Sequence, residues 1–389
     1  MELFALTTIQ LILISTLGVL FFIQLLYYVI IYNKIHKHNR EVKKDRIQFD
    51  TAYPPLSIII CAKNESDNIR RNLPSILEQD YPQFEVIVIN DGSTDESEDT
   101  LSALEEKYHH LYHTFTPDST RYVSRKKLAL TLGIKASKYD WLVFTDANCQ
   151  ASSKNWLKLM ARNFTPTTDI VLGYSNYEPQ KKWFDKKVAF DNLFSAMRYL
   201  GYALIRKPYM GIGRNMAYRK EMFFKNKGFS SHLNLQKGDD DLFINETATR
   251  NNTRVETSAE SVMRMQPIEY RKQWKEEKVS YMATSQYYHG GQKYMLGFET
   301  LSRLLFYAVC IALITLSILS RQWVLLGSAC LIYIARFIMQ AVIINKTAKD
   351  FGEKRYYLTL PVFDIAQPLW SLKFKTIRFF RRKGDFMRR

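Results

Sequence analysis

Three short acidic clusters stand out in this chain: Asn90-Asp91-Gly92-Ser93-Thr94-Asp95, Thr145-Asp146-Ala147-Asn148 and Gly238-Asp239-Asp240-Asp241-Leu242. The first two follow apolar, β-type runs at Phe84–Ile89 and Trp141–Phe144. In an open α/β sheet, the carboxyl ends of the strands are where ligand-binding side chains are delivered. Carboxylates gathered in a chain of net charge +17 need a counter-charge at close quarters. A divalent cation holding a diphosphate supplies one, because Mg²⁺ and Mn²⁺ take hard oxygen ligands and bridge phosphates. Asx-rich turns after strands offer a plainer account of each cluster taken singly. A triple-Asp run also suits a helix N-terminus, where the dipole favours acids.

The elements that must position these residues alternate between strand and helix. Leu56–Ala62 is β-branched and uncharged, the pattern of a strand buried on both faces. Ser66 or Asp67 can cap a helix running to about Gln79, ended by Asp80-Tyr81-Pro82. Phe84–Asn90 is the second strand and Ser97–Tyr108 a charged helix. Lys126–Ala136 is another helix, and Trp141–Thr145 a short strand. Such alternation predicts an α/β fold with a mostly parallel sheet covered by helices.

Apolar segments flank this block. Residues 4–32 are long enough to cross a bilayer as a helix. A cleaved leader would instead want a basic start, a shorter apolar core and a small-residue cleavage site. Tyr27, Tyr28 and Tyr32 suggest an interfacial aromatic belt. A basic linker, 33–55, carries Lys34, Lys37, Arg40, Lys43, Lys44 and Arg46, which predicts an external N-terminus and a cytoplasmic block at 56–285. An interfacial connection, 286–303, then leads to spans at 304–320 and 323–345. Arg336 falls within the last span, where a charge needs a partner or a polar cavity. The tail, 346–389, contains the Pro-interrupted stretch Tyr356–Leu372, expected to be interfacial or re-entrant, and a basic end with Phe379, Phe380 and Phe386. That mixture suits an anionic lipid surface; beside membrane helices, nucleic acid is not the expected partner. Cys61, Cys149, Cys310 and Cys330 show no disulfide or metal spacing and are expected to be free thiols in a reducing compartment.

Taken in order, Ser57–Glu65, Asn90–Asp95, Lys126-Lys127-Leu128-Ala129-Leu130 and Thr145–Cys149 resemble the successive motifs of family-2 glycosyltransferases. These are GT-A enzymes that include cellulose, chitin and hyaluronan synthases. Gly211–Tyr218, Asp239–Asp241 and Gln273-Trp274 are similar to the acceptor-side motifs of that family, and the flanking helices resemble its membrane-bound branch.

The resemblance implies an inverting, metal-dependent hexosyltransferase in the cell membrane. It would move a sugar from a nucleotide-sugar, most simply a UDP-sugar, to a lipid-linked or growing cell-surface glycan. Glu65 and Asp91 would hold base and ribose, with Ala62 and Asn64 in the same nucleotide site; carboxylates accept from uracil N–H and ribose hydroxyls. Lys126 or Lys127 would meet the diphosphate. Asp146 and Asn148 would be the Mg²⁺ or Mn²⁺ ligands, Asn148 standing where the family has a second acid. Asp239, or Asp240 one residue on, would be the general base. Gly213, Arg214, Asn215, Asp241, Gln273 and Trp274 would line the acceptor and diphosphate side. Gln273 precedes Trp274 where the family's Gln-X-X-Arg-Trp segment has Arg, which weakens the case for processive polymerisation. The alternatives are a processive polysaccharide synthase, or a nucleotide-sugar-binding membrane protein weakened in catalysis by Asn148.

Overall fold

The computed structural model describes residues 7–117, 124–381 and 386. Residues 4–6 of the expected first span, and Arg382, Lys383, Arg388 and Arg389 of the basic tail, lie outside the described residues.

Among the described residues, ten strands form two sheets. Along the chain they are β1 (Leu56–Ala62), β2 (Phe84–Asn90), β3 (Leu111–Phe115), β4 (Trp141–Asp146), β5 (Cys149–Ala151), β6 (Ile170–Leu172), β7 (Ser175–Tyr177), β8 (Met216–Arg219), β9 (Thr253–Val255) and β10 (Met263–Met265). The larger sheet has the order β3-β2-β1-β4-β8-β6-β9, and β5-β10-β7 make a small second sheet. β1 pairs in parallel with both β2 and β4, whereas β8 runs antiparallel to β4 and β6. The chain therefore winds outward from β1 in both directions, and the crevice beyond β1 is a topological switch point. Register brings Ala62 opposite Asn90 and Cys61 opposite Asp146, so two of the acidic turns share one sheet edge.

Burial explains the strands. Ile58, Ile59 and Ile60 of β1 and Val86 to Ile89 of β2 are all buried, and helices cover both faces. Ser66–Leu77 turns Ile69, Leu73, Ile76 and Leu77 inward at helical spacing. Each such buried aliphatic side chain contributes about 1.5–3 kcal/mol relative to exposure. All four cysteines are free thiols.

Among the described residues, three helices are long and apolar enough to cross a membrane: Thr8–Val42, Gln292–Leu319 and Trp323–Asp350. They flank the central globular block, and the Lys/Arg-rich flank from Lys34 to Arg46 marks the block's side as cytoplasmic. The helices are longer than the apolar stretches themselves: the first runs on to Val42, so much of the basic linker is helical, and the helix after the block begins at Gln292. Tyr28 and Tyr32 are fully buried and form no belt. Tyr32 meets Phe194 with ring centroids 5.2 Å apart, on the helix Trp183–Leu204 of the block. At Gly201 of that helix, a Cβ would lie 2.7 Å from the carbonyl oxygen of Ile31, so only glycine permits the contact.

Tyr356–Leu372 belongs largely to a 21-residue helix, Leu360–Phe380, with Pro at its first turn and Pro368 inside. Its Asp364 answers the question posed by Arg336: Nη1 of Arg336 lies 2.8 Å from Asp364 Oδ2, with both side chains buried. Arg303 Nη1 pairs with the other oxygen at 3.3 Å, and its Nη2 donates to Gln367 at 2.5 Å. Residues expected to be interfacial on either side of the spans thus meet in one buried cluster. Arg303 Nε also lies 3.5 Å from the buried Glu299, so each guanidinium has a carboxylate beside it, which is the condition for keeping charges at that depth.

Candidate active site

Beyond the carboxyl ends of β1 and β4 lies a cavity of about 1040 Å³. Its walls include Glu65, Lys126, Asp146, Asn148, Arg214, Asp239, Asp240 and Gln273, all singled out in the sequence. Distant segments supply them. Asp146 ends β4, Lys126 sits in the first turn of the helix Arg125–Ala136, and Asp239 and Asp240 precede the short helix Asp241–Thr247.

Lys126 is at the centre. Its Nζ lies 3.0 Å from Asp146 Oδ1 and 3.5 Å from Asp239 Oδ2. Burial works against the Lys126 charge, yet Asp146, Asp239 and Asp240 hold the ammonium well above its ordinary value. Burial likewise opposes the charge on Asp146, but Lys126, then Arg214 and Lys237, outweigh it and keep the carboxyl below its usual range. Glu65 is pushed up by burial despite a hydrogen bond from Asn68.

Asp239 and Asp240 differ in their partners. Gly238, at φ +107, makes the turn that presents them; a Cβ there would come within 2.6 Å of Leu242. Asp240 caps the helix: its Oδ1 accepts from Asp241 N at 2.7 Å, and its Oδ2 from Gly213 N at 3.0 Å and the Tyr281 hydroxyl at 3.1 Å. Burial and then the neighbouring Asp239 push its carboxyl up. Asp239 instead meets Lys126 across the cavity. The triple-Asp run is thus a helix start and a cavity wall at once.

Other expected residues lie behind the wall. Lys127 is fully buried and donates to the carbonyls of His232 (2.5 Å) and Leu235 (3.0 Å), so of these two neighbours it is Lys126 that faces the cavity. Asp241 points inward, accepting from Thr284 and from the Tyr288 hydroxyl at 2.7 Å; burial, then Asp240, raise its carboxyl to about 7. Asn215 ties Trp156 to the carbonyls of Tyr174 and Ser261. Trp274 packs against Phe184, Trp370 and Phe374. These four act on the packing behind the site, because a helix or turn can offer only one face to a cavity.

The turn after β1 and β2 forms its own cluster beside the cavity. Asp91 N donates to Ala62 O at 2.7 Å, and Asp91 Oδ1 accepts from Arg125 Nε (2.8 Å) and Thr116 (2.9 Å). Asn64, at φ +54, accepts from Thr94 N at 2.8 Å.

Sequence reasoning missed part of the cavity wall. Glu277 holds Arg214 Nη2 at 2.5 Å and accepts from Tyr177 at 3.1 Å, while Tyr281 reaches Asp240. Gln273, Glu277 and Tyr281 recur every four residues on the helix Arg271–Thr284, a polar stripe that could have been read as a lining face.

Among the described residues, no group of three or more His, Cys, Asp or Glu is arranged to hold a metal. Asp146 and Asn148 offer one carboxylate and one amide oxygen to the cavity. That donor set fits Mg²⁺ or Mn²⁺, which are commonly bound by one or two protein oxygens with phosphates and water completing the shell.

Comparison with known proteins agrees with this architecture. Residues 57–225 match the profile described as Glycosyl transferase family 2. The chain is 28% identical over 123 residues to poly-beta-1,6-N-acetyl-D-glucosamine synthase of Staphylococcus epidermidis, covering 32% of this chain and 28% of that protein. It is 28% identical over 115 residues to the glycosyltransferase YibD of Escherichia coli, covering 30% of this chain and 32% of the other. The chain thus spans about a third or less of the length of these relatives. The mannosyltransferase PcManGT of Pyrobaculum calidifontis, solved with GDP-Man and Mn²⁺, superposes with a TM-score of 0.58 at 18% identity, over 95% of this chain and 99% of that one. The chain has a mixed α/β fold that resembles the GT-A kind, and its residues 57–225 are similar to family-2 glycosyltransferases. To that fold are joined helices long enough to span a membrane.

Proposed function

We propose that this chain is a membrane-anchored, metal-assisted inverting glycosyltransferase. It takes a nucleotide-sugar, most simply a UDP-sugar, and transfers the sugar to a lipid-linked or growing cell-surface glycan. The observation that carries the reading is the convergence of Asp146, Asn148, Lys126, Asp239 and Asp240 on one cavity at the switch point of the sheet.

In this reading Glu65 and Asp91, with Ala62 and Asn64, form the nucleotide end, and Lys126 meets the diphosphate. A Mg²⁺ or Mn²⁺ held through Asp146 and Asn148 would supply charge stabilisation to the leaving diphosphate. Asp239 takes the proton of the acceptor hydroxyl as its oxygen attacks the anomeric carbon. The sugar–phosphate bond breaks on the opposite face, which inverts the anomeric configuration. Asp240 accepts three hydrogen bonds, from Asp241 N, Gly213 N and the Tyr281 hydroxyl, and positions the turn. Arg214, fixed by Glu277, and Gln273 line the acceptor side.

The test is nucleotide release by the purified full chain over a panel of UDP- and GDP-sugars, with and without Mn²⁺. Metal-dependent release from one donor is expected. Metal-dependent binding without release would favour the weakened-binder alternative that Asn148 suggests. No binding of any donor would overturn the assignment.

A further inference from the structure

Lys126 and a divalent cation draw on the same oxygens. The ammonium is 3.0 Å from Asp146 Oδ1, and Asp146 is the sole carboxylate in the Asp146–Asn148 pair. A second anchor, Asp239 Oδ2 at 3.5 Å, keeps Nζ over that position. With an acid at both positions of the motif, a metal would keep one carboxylate whatever the lysine did. With Asn148 there, the ammonium and the metal compete for the one full negative charge.

We propose that Lys126 is an exchangeable counter-ion that makes cation binding depend on the nucleotide diphosphate. While Nζ rests on Asp146, a bare Mn²⁺ has to displace an ammonium from the one carboxylate of the motif. A diphosphate brings its own negative charge and gives Nζ a new partner. The lysine then moves from carboxylates to phosphate, which would leave Asp146, with Asn148, free to hold the metal. The same movement uncovers Asp239 Oδ2 for the acceptor hydroxyl. Compact, strongly hydrated and carried on a flexible stem, a lysine ammonium suits such a transfer better than a planar guanidinium. This inference rests on the donor site proposed above.

The experiment measures Mn²⁺ binding to the full chain in detergent by the loss of the free-ion electron paramagnetic resonance signal, alone and with UDP. Wild type should bind Mn²⁺ weakly alone and far more tightly with UDP. Lys126→Gln should tighten Mn²⁺ binding in the absence of UDP by about ten-fold, the scale on which neighbours of metal ligands act. The same change should weaken the UDP-dependent component by about as much. Lys126→Arg keeps the charge and should leave binding of Mn²⁺ alone weak; thermal melts certify that both variants are folded. These opposite signs are not produced by a merely structural lysine. If Lys126→Gln leaves Mn²⁺ binding unchanged or weaker without UDP, the exchange is wrong. Should Lys126→Gln fail to fold, Lys126→Arg carries the test: tight Mn²⁺ binding without UDP in that folded variant overturns the exchange, and weak binding supports it. Asp146→Ala separates the two failures: if it retains UDP-dependent Mn²⁺ binding, the donor site itself is misplaced.

Discussion

Replacing Asp239 by Asn separates catalysis from binding. Asn keeps the size of the side chain but cannot take a proton from the acceptor. Removal of a general base costs about 10²–10⁴ in rate, which is about 3–5.5 kcal/mol of barrier at 1.36 kcal/mol per decade. The ground-state cost is far smaller. The ionic partner of Asp239 is Lys126 at 3.5 Å, and that lysine keeps Asp146 at 3.0 Å and is itself partly exposed. Asp239 is itself buried, but Lys126 is left with Asp146 and no charge is stranded, so the lost contact should cost far less than the break of a lone buried pair. Asp240→Asn behaves differently, because three hydrogen-bond donors converge on that carboxylate. Its amide would face at least one of them, at about 1–3 kcal/mol of folding stability, with a smaller loss of rate. The assay is steady-state nucleotide release with donor titrated at saturating acceptor, beside thermal melts of both variants. For Asp239→Asn, kcat should fall at least about 100-fold while the KM for donor stays within about three-fold. A kcat within ten-fold of wild type would refute the assignment. The reverse ranking of the two variants would move the base to Asp240.

Asn148→Asp should tighten Mn²⁺ binding in the presence of UDP, because a second carboxylate adds charge beside Asp146; unchanged affinity by calorimetry means that residue 148 is no ligand. Asp364→Asn leaves Arg336 and Arg303 short of their shared buried carboxylate, and should cost about 3–5 kcal/mol, seen as a fall in melting temperature in detergent. Asp241 has its carboxyl raised from 3.8 to about 7 by burial and then by Asp240. Between those values the folded chain holds a proton that the unfolded chain releases, so this residue lowers stability as pH rises from about 4 to 7. Asp241→Asn should flatten that part of the stability profile; an unchanged slope in denaturation from pH 4 to 7 would sink the argument.

Several features were legible in the residues alone because they are local. A run such as Leu56–Ala62 has no stable place except a buried strand, and acidic turns directly after such runs fall at the carboxyl edge of the sheet wherever the strands pair. The apolar stretches announce membrane helices by length and composition, and the helices Thr8–Val42 and Gln292–Leu319 extend past the apolar core because helix continuation needs only backbone hydrogen bonds. What depends on contacts far apart in sequence was not legible. Adjacent Lys126 and Lys127 are chemically alike, and only packing against the carbonyls of His232 and Leu235 buries the second and leaves the first to the cavity. The same holds for Asp239, Asp240 and Asp241, three identical side chains sent to the cavity, to a cap and to the hydroxyls of Thr284 and Tyr288. Arg336 signalled in sequence that a partner was required, but naming Asp364 needed the helix Leu360–Phe380 folded back against the spans. A side chain's type sets what chemistry it can do; its direction is set by which neighbour the backbone brings within about 3 Å, and that neighbour is specified by the whole chain.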